Sequence, residues 1–293
     1  MKVIDRIRED KLSLSFEVFP AKTDADFDGV LSAAGKIAGL KPSYVSVTYG
    51  AGGGGSRYTV EIARRLQRMG ETETVAHLTC VGAGRETIEA YLSTMKAEGI
   101  ENIMALRGDL PQHMTPEAMR SSPYPHAADL IREIRAAGDF CIGAACYPEV
   151  HPESATQAED LRYLKEKVEA GADYLTTQMF FDNNVLYNFL YKLREAGVTV
   201  PVVPGIMPIT SGTQVKRALK LSGSFMPRRF TSLVDRFGSS PEAMKQAGIL
   251  YASDQIIDLF ANGIRHVHVY TMNKPEVAAA IQAHLSAMLG RAF

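Results

Sequence analysis

The chain has 293 residues, of which 46% are hydrophobic, and its 32 basic and 33 acidic residues give a formal net charge of -1. This length and apolar fraction suffice for one large domain, and α/β barrels commonly reach this size as a single unit. The balanced charge provides no basic field that would hold a nucleic acid or an anionic membrane. The stretch 1–16 carries charges every few positions and lacks the apolar region of a signal peptide, which predicts a cytoplasmic protein.

Eight short segments have the composition of β-strands. Most are continuous apolar runs instead of alternating ones, as expected for parallel strands that are covered on both faces. In chain order they are 14–19, 44–49, 74–80, 102–107, 141–147, 174–180, 200–207 and 266–271.

Helical patterns, with apolar residues three or four positions apart, separate these segments. They span 27–38, 59–69, 87–98, 127–136, 155–170, 184–196 and 275–289. Gly99, Gly171, Gly197 and Gly263 each stand where a helix ends and a strand follows directly, a position that favours glycine. This repeated strand–helix unit predicts a single (β/α)8 barrel of the TIM type, with residues 1–293 as one catalytic domain.

The spacing is interrupted once, between the seventh and eighth predicted strands. This interval has room for extra helices, which the pattern assigns to 212–221, 228–234 and 241–261. An insertion after a late barrel strand is expected to cover the mouth of the active site, because the site lies at the carboxyl ends of the strands.

Polar residues stand at or just beyond the carboxyl ends of seven of the eight predicted strands. They are Glu17, Thr48, His77, Arg107 with Asp109, Tyr147 with Glu149 and His151, Gln178, and Tyr270 with Asn273. Strand ends face solvent in any barrel, so chance exposure is the alternative, but the regularity of the pattern favours a polar-lined pocket. Glu17 is the strongest candidate because a carboxylate inside the apolar run 15–20 is costly unless it is functional or paired.

The other candidates each have a structural alternative. Asp109 could be a turn residue, but the adjacent Arg107 and Gly108 favour a phosphate or cofactor contact. His77 could be a core histidine with satisfied hydrogen bonds. His151, between two prolines, could either face a ligand or cap the following helix.

Two motifs suggest other kinds of site. Residues 50–55 formally match G-x-G-x-x-G, the motif of dinucleotide-binding sites. Such a site also needs an acidic residue at the end of the next strand, whereas Glu71 and Glu73 precede that strand. A flexible loop beside a planar ligand is therefore favoured over a dinucleotide site. His266 and His268 have the H-x-H spacing of metal ligands, yet they precede the end of the strand and no acidic cluster accompanies them, so we expect no metal.

The strand-end segments closely resemble the signature stretches of methylenetetrahydrofolate reductases. They are SFEVFP (15–20), VSVTYGAGG (45–53), AHLTC (76–80), ALRGDLP (105–111), AACYPEVHPE (144–153), TTQMFFD (176–182), PGIMPI (204–209) and HVYTMNKPE (268–276). The set occurs in order at nearly every predicted strand, and the length resembles the compact bacterial type. The resemblance implies reduction of 5,10-methylenetetrahydrofolate to 5-methyltetrahydrofolate by a ping-pong reaction with bound FAD, and NADH is preferred over NADPH as the donor.

The resemblance also implies roles for individual positions. Those that match FAD contacts are Thr48, His77, Leu106, Arg107, Gly108, Asp109, Ala127, Tyr147, His151, Asp160 and Lys167. Those that match folate contacts are Glu17, Asp109, Gln178, Gln214 and Lys274. We interpret Glu17 as the general acid, because the folate ring must be protonated at the leaving nitrogen before it opens to an iminium ion. Asp109 would counter the positive charge of that ion.

Three positions depart from the family pattern. Ala218 stands where a bulky apolar residue is common, and Leu219 is a candidate substitute. Lys274 replaces an arginine near the folate tail, and Tyr163 replaces an asparagine-like FAD contact. These departures concern the electron donor, so a partner redox subunit is an alternative to NADH. A barrel flavoenzyme of the proline dehydrogenase type and a binding subunit without turnover are further alternatives, and we expect a homo-oligomer.

Overall fold

The computed structural model describes residues 1–9, 11–50, 56–70, 72–110 and 114–290. Within these ranges one parallel sheet pairs in the order β7-β6-β5-β4-β3-β2-β1-β9-β8. Its strands are β1 Ser13–Val18, β2 Tyr44–Val47, β3 Glu73–Thr79, β4 Asn102–Leu106, β5 Cys141–Cys146, β6 Tyr174–Thr177, β7 Val202–Val203, β8 Gly205–Ile206 and β9 His266–Tyr270. The predicted TIM-type barrel is confirmed.

The predicted seventh strand, over 200–207, is divided into two short strands at Pro204. β7 pairs with β6 and β8 pairs with β9, so this one segment joins the two ends of the sheet and closes the barrel. Proline has no amide hydrogen and interrupts a strand ladder. The carbonyl of Pro204 accepts the amide of His268 at 2.8 Å, and the amide of Gly205 donates to Thr177 Oγ1 at 2.9 Å.

Helices surround the sheet. They are α1 Val3–Arg8, α2 Asp24–Ala38, α3 Ser56–Arg68, α4 Arg85–Ala97, α5 Pro116–Arg120, α6 Ala127–Ala137, α7 Gln157–Glu169, α8 Asn183–Glu195, α9 Gly212–Ser222, α10 Arg228–Phe237, α11 Pro241–Ala261 and α12 Pro275–His284. Every predicted helix is present, although α12 is shorter than the predicted 275–289, and α1 and α5 were not predicted. The four glycines expected at helix ends all have positive φ. In the part of the chain that the structure describes, no helix is long and apolar enough to cross a membrane.

Three apolar clusters hold these elements together. The largest lies between the outward faces of the strands and the surrounding helices. A second fills the barrel interior at the amino ends of the strands, where Val3, Ile4 and Ile7 of α1 pack against inward side chains of the barrel. The third joins α9, α10 and α11 to the segment that follows β6. At the amino end of the barrel α1 therefore covers the side of β2 to β7, and the carboxyl end remains open beneath the inserted helices.

Candidate active site

A cleft of about 1320 Å³ opens at the carboxyl ends of the strands. This exceeds the range of about 300–1000 Å³ that is typical of pockets for one small ligand, so the cleft has room for a large cofactor and a substrate together. The predicted site residues that line it are Glu17, Thr48, His77, Leu106, Arg107, Gly108, Asp109, Ala127, Tyr147, His151, Asp160, Lys167, Gln178 and Gln214. Of the predicted glycine-rich loop, Gly50 lines the cleft, and residues 51–55 lie outside the described part of the chain.

Glu17 lies on β1 at the floor of the cleft and is only 8% exposed. Its Oε2 atom is 3.8 Å from Nε2 of His77 on β3 and 3.8 Å from Nε2 of His268 on β9. Burial raises the pKa of Glu17 to about 7, against a smaller opposing effect of His77. A large fraction of this carboxyl is therefore protonated at neutral pH.

The two histidines beside Glu17 are neutral. Burial lowers the pKa of His77 to about 4, because the charge of Glu17 only partly opposes it. Burial also lowers the pKa of His268 to about 3. Sequence analysis considered His268 only as a metal ligand, whereas the structure places it against the candidate acid. Among the described residues, no group of three or more histidine, cysteine, aspartate or glutamate side chains is arranged to hold a metal ion.

A turn after β4 carries Arg107, Gly108 and Asp109 to one side of the cleft. Both terminal nitrogens of Arg107 donate to the carboxylate of Glu153, with Nη2 at 2.6 Å from Oε1. Gly108 has φ of +90°, and a Cβ atom there would lie 2.7 Å from Cγ1 of Val81. Only glycine therefore fits this turn without strain. Asp109 is exposed at the mouth of the cleft.

The loop after β5 and helix α7 form the adjoining wall. Nζ of Lys167 donates to the carbonyl of Ala145 at 2.8 Å, and burial lowers the pKa of Lys167. The carboxylate of Asp160 accepts the amide of His151 at 3.3 Å. The rings of Tyr147 and His151 meet at 72° with centroids 4.6 Å apart. This wall combines a cation, hydrogen-bonding groups and an aromatic surface.

The next wall is built from the segment after β6, which adjoins β5, and from α9. Oε1 of Gln178 accepts the amide of Met179 at 2.8 Å, which leaves its side-chain NH2 group as a donor. Oε1 of Gln214 accepts the amide of Thr210 at 2.7 Å. Nζ of Lys274 donates to Oγ1 of the same threonine at 2.8 Å. Lys274 does not line the cleft and reaches its wall only through Thr210.

The structure also locates the positions that depart from the family pattern. Ala218 lines the cleft and is 2% exposed, because it packs against the cluster that joins α9 to the segment after β6. Leu219 is 41% exposed and is not part of the lining, so it does not replace the missing apolar surface. Tyr163 lines the cleft and stacks on His126, with ring centroids 5.5 Å apart.

Several lining residues were missed by sequence analysis. They include His126, Met179, Met207 and Met272. Met179, Met207 and Met272 lie at strand ends, in segments that resemble those of the reductase family, and this position could have identified them. His126 directly precedes Ala127, a predicted FAD contact, but no role was predicted for His126 itself.

Comparison with known proteins identifies relatives of the whole chain. The family model described as methylenetetrahydrofolate reductase matches residues 2–286. The chain is 36% identical over 300 residues to a "Probable methylenetetrahydrofolate reductase (NADH)" of Oryza sativa subsp. japonica, an alignment that covers 97% of this chain and 50% of the plant protein. It is 33% identical over 271 residues to the 5,10-methylenetetrahydrofolate reductase of Escherichia coli (strain K12), covering 92% and 90%. The chain thus spans about half the length of the plant relatives.

A solved structure has the same fold. It is an uncharacterized protein from Clostridium thermocellum, which binds two copies of 5-methyl-5,6,7,8-tetrahydrofolic acid. The TM-score is 0.65 at 13% sequence identity, and the match covers 98% of this chain and 97% of the other. At this level of identity the likeness establishes the barrel architecture.

Proposed function

The chain belongs to the methylenetetrahydrofolate reductase family, and we propose that it reduces 5,10-methylenetetrahydrofolate to 5-methyltetrahydrofolate, with FAD as cofactor and NADH as electron donor. The observation that carries this proposal is Glu17, a buried carboxyl at the floor of the cleft whose pKa burial raises to about 7. The family match argues against the proline dehydrogenase type as an alternative.

Glu17 has the properties that the reaction requires of a general acid. The five-membered ring of the substrate opens to an iminium ion only when the leaving nitrogen receives a proton. A carboxyl group with an ordinary pKa has lost its proton at neutral pH, whereas one with a pKa near 7 retains it in about half of the molecules. Donation requires contact with the substrate, and Glu17 lines the cleft.

Asp109 and Gln178 have complementary tasks in this proposal. The carboxylate of Asp109 lies at the mouth of the cleft, where its negative charge offsets the positive charge of the iminium ion. The NH2 group of Gln178 contacts the hydroxyl of Tyr147 and has a second hydrogen that can donate to a ring acceptor of the folate, which would fix the orientation of the substrate. The methionines Met179, Met207 and Met272 exclude water from the same space.

The side chains of the cleft fit FAD. Arg107 and Lys167 supply positive charge for its pyrophosphate, and Tyr147 with His151 supplies an aromatic surface. Gly108 keeps the backbone turn free of a side chain that would strike Val81. When bound in this cleft, FAD would supply the chemistry of hydride transfer between the nicotinamide and the one-carbon unit of the folate.

Electron delivery by a partner redox subunit is the second candidate. The names of the plant relatives specify NADH, which supports direct reduction. Ala218 favours the alternative, because its methyl group presents little surface for a nicotinamide and Leu219 lies outside the cleft. Losing one aromatic contact weakens binding by about 1 kcal/mol, so we expect slow but measurable reduction by NADH.

Anaerobic stopped-flow spectroscopy of the FAD-loaded protein tests the proposal. We expect a yellow protein that bleaches with NADH and regains its colour when 5,10-methylenetetrahydrofolate is added. Bleaching should be several-fold faster in Ala218→Phe and unchanged in the matched control Leu219→Phe, whose side chain lies outside the cleft. No bleaching with NADH or NADPH, together with folate reduction by the dithionite-reduced protein, would support the partner subunit. A protein that binds no FAD, or that never reduces the folate, would contradict the proposed function.

A further inference from the structure

Two neighbouring strands carry an alternating series of polar side chains through the barrel interior. On β1 these are Ser13, Ser15 and Glu17, and on β9 they are His266 and His268. The parallel register pairs Ser13 with His266 and Ser15 with His268. Because alternate residues of a strand point to the same side, all five face the barrel axis, and each is at most 8% exposed. The interiors of TIM barrels are normally filled by bulky branched apolar residues, so this series is unusual.

The side chains form a continuous path toward Glu17. Oγ of Ser13 is 2.6 Å from Nδ1 of His266, and Nε2 of His266 is 3.1 Å from Oγ of Ser15. Oγ of Ser15 is 2.7 Å from Nδ1 of His268, whose Nε2 is 3.8 Å from Oε2 of Glu17. We call Ser13, His266, Ser15 and His268 the Ser–His column.

We propose that the Ser–His column is a proton relay that returns a proton to Glu17 from the amino end of the barrel. This inference rests on the proposed function, in which Glu17 gives a proton to the folate in every turnover. The cofactor and the folate would then lie over Glu17 on the side of the cleft, and the column reaches the same carboxyl from below.

Each transfer in the relay is balanced. As the O–H bond of Glu17 breaks and the folate nitrogen gains that proton, Glu17 takes the proton from Nε2 of His268. Nδ1 of His268 takes one from Ser15, Ser15 takes one from Nε2 of His266, and Nδ1 of His266 takes one from Ser13. Water supplies the last proton to Ser13, so one solvent proton is consumed per folate reduced.

Both histidines can relay a proton without becoming charged, because each gains a proton on Nδ1 as it loses one from Nε2. Before the next turnover both rings must return to the starting tautomer, with the proton on Nε2, and the two serine hydroxyls must turn back with them. Burial favours this route, since it lowers the pKa of both His266 and His268 to about 3. His268 also faces other titratable groups, namely Glu17, His77 and His266 together with the rings of Tyr44 and Tyr270.

The last transfer requires two small movements. The 3.8 Å separation of His268 and Glu17 exceeds the usual hydrogen-bond distance of about 3.2 Å, so the carboxyl must turn toward the ring by less than an ångström. Nε2 of His268 lies 3.2 Å from Oγ of Ser46, and this contact must open as the ring meets the carboxyl. Hydrogen bonds in active sites commonly shorten in this way when the substrate binds.

Two substitutions break the column in different ways. Ser15→Ala removes the hydroxyl between the histidines, and His266→Gln replaces a relaying ring with an amide that donates and accepts but does not exchange protons between its two ends. Tyr174→Phe is the matched control, because it removes another buried hydroxyl from the barrel interior without touching the column. The three variants and the wild type are loaded with FAD, and both half-reactions are measured by anaerobic stopped flow at pH 6 and pH 8.

Ser15→Ala and His266→Gln should each slow folate reduction about tenfold at pH 8, part of the factor of about 100 that a positioned acid supplies. At pH 6, where Glu17 is already protonated, both should approach the wild-type rate. Flavin reduction by NADH needs no proton from the column and should not change. Tyr174→Phe should match the wild type in every measurement.

Wild-type folate reduction in His266→Gln at pH 8 would overturn the relay, even if Ser15→Ala were slow, because Ser15 would then only orient His268. Equal slowing at both pH values would also overturn it. If either variant fails to fold, as judged by its thermal unfolding, Ser13→Ala removes the outermost hydroxyl with a smaller change, and the same pH-dependent slowing is required. A wild type that does not reduce the folate contradicts the proposed function itself and removes the reaction that the relay serves.

Discussion

The two halves of the barrel interior have opposite chemistry. Along β1 and β9 the inward side chains are serine, histidine and the acid Glu17. Along β4 to β7 they include Met104, Cys141, Tyr174 and Val203, which pack with α1 in one apolar cluster. The candidate acid and the Ser–His column are therefore built on one half of the barrel interior, while the inward side chains of the other half contribute apolar packing beneath the cleft.

This division has an energetic consequence. Buried polar groups are costly unless they are hydrogen-bonded, and the polar half keeps Glu17 in surroundings that oppose its ionisation. The apolar half stabilises the fold by removing side chains such as Ile4 and Val203 from water. Substitutions in the polar half should mainly change rates, and substitutions in the apolar half should mainly change the free energy of unfolding.

The largest effect is expected from Glu17→Gln. Folate reduction should fall by at least about 100-fold, the usual scale for the loss of a positioned general acid, while FAD binding and flavin reduction by NADH persist. Stopped-flow measurement of both half-reactions checks this. Glu149→Gln is the matched control, because Glu149 is another strand-end carboxyl whose pKa burial raises, and it lies outside the cleft lining. Equal losses in both half-reactions of Glu17→Gln would mean that Glu17 is structural.

Ile4→Ala tests the apolar half. Ile4 is 6% exposed in the cluster beneath the barrel, and deleting its side chain should lower the free energy of unfolding by about 2–3 kcal/mol. The rates of both half-reactions should remain unchanged at temperatures where the variant is folded. Urea titration and stopped flow measure the two quantities, with Ile4→Val as a smaller step of about 1 kcal/mol. A selective loss of folate reduction in Ile4→Ala would contradict the claim that the apolar half affects stability and not the reaction rates.

A smaller effect is expected on the free energy of unfolding at acid pH, to which His266 of the polar half contributes. Burial lowers the pKa of His266 from 6.5 to about 3, so below pH 6.5 the unfolded chain binds a proton that the native chain does not. Stability is then lost as pH falls through 6.5 toward the folded pKa, by about 1–2 kcal/mol for one histidine at pH 5. In urea titrations at pH 7 and pH 5, His266→Gln should lose correspondingly less stability than the wild type. An identical loss would indicate that His266 is charged in the native state.

Much of the fold and of the site was predictable from local sequence. The repeated strands and the glycines that end the helices predicted the barrel, and strand-end positions predicted the cleft lining around Glu17 and Gln178. The Ser–His column was not predictable, because its hydrogen bonds join Ser13 and Ser15 to residues about 250 positions away. The register between β1 and β9 determines which of these residues face each other. The outward direction of Leu219 likewise depends on how α9 packs.

The protonation of Glu17 is the property on which both proposals depend, and infrared spectroscopy measures it directly. The carbonyl band of a protonated carboxyl is followed from pH 4 to pH 9 in the folded protein, and its absence in Glu17→Gln assigns it to this residue. We expect a midpoint at about 7, because burial opposes ionisation of this carboxyl. A midpoint at or below the ordinary value of 4.5 would contradict the assignment of Glu17 as the acid that protonates the folate.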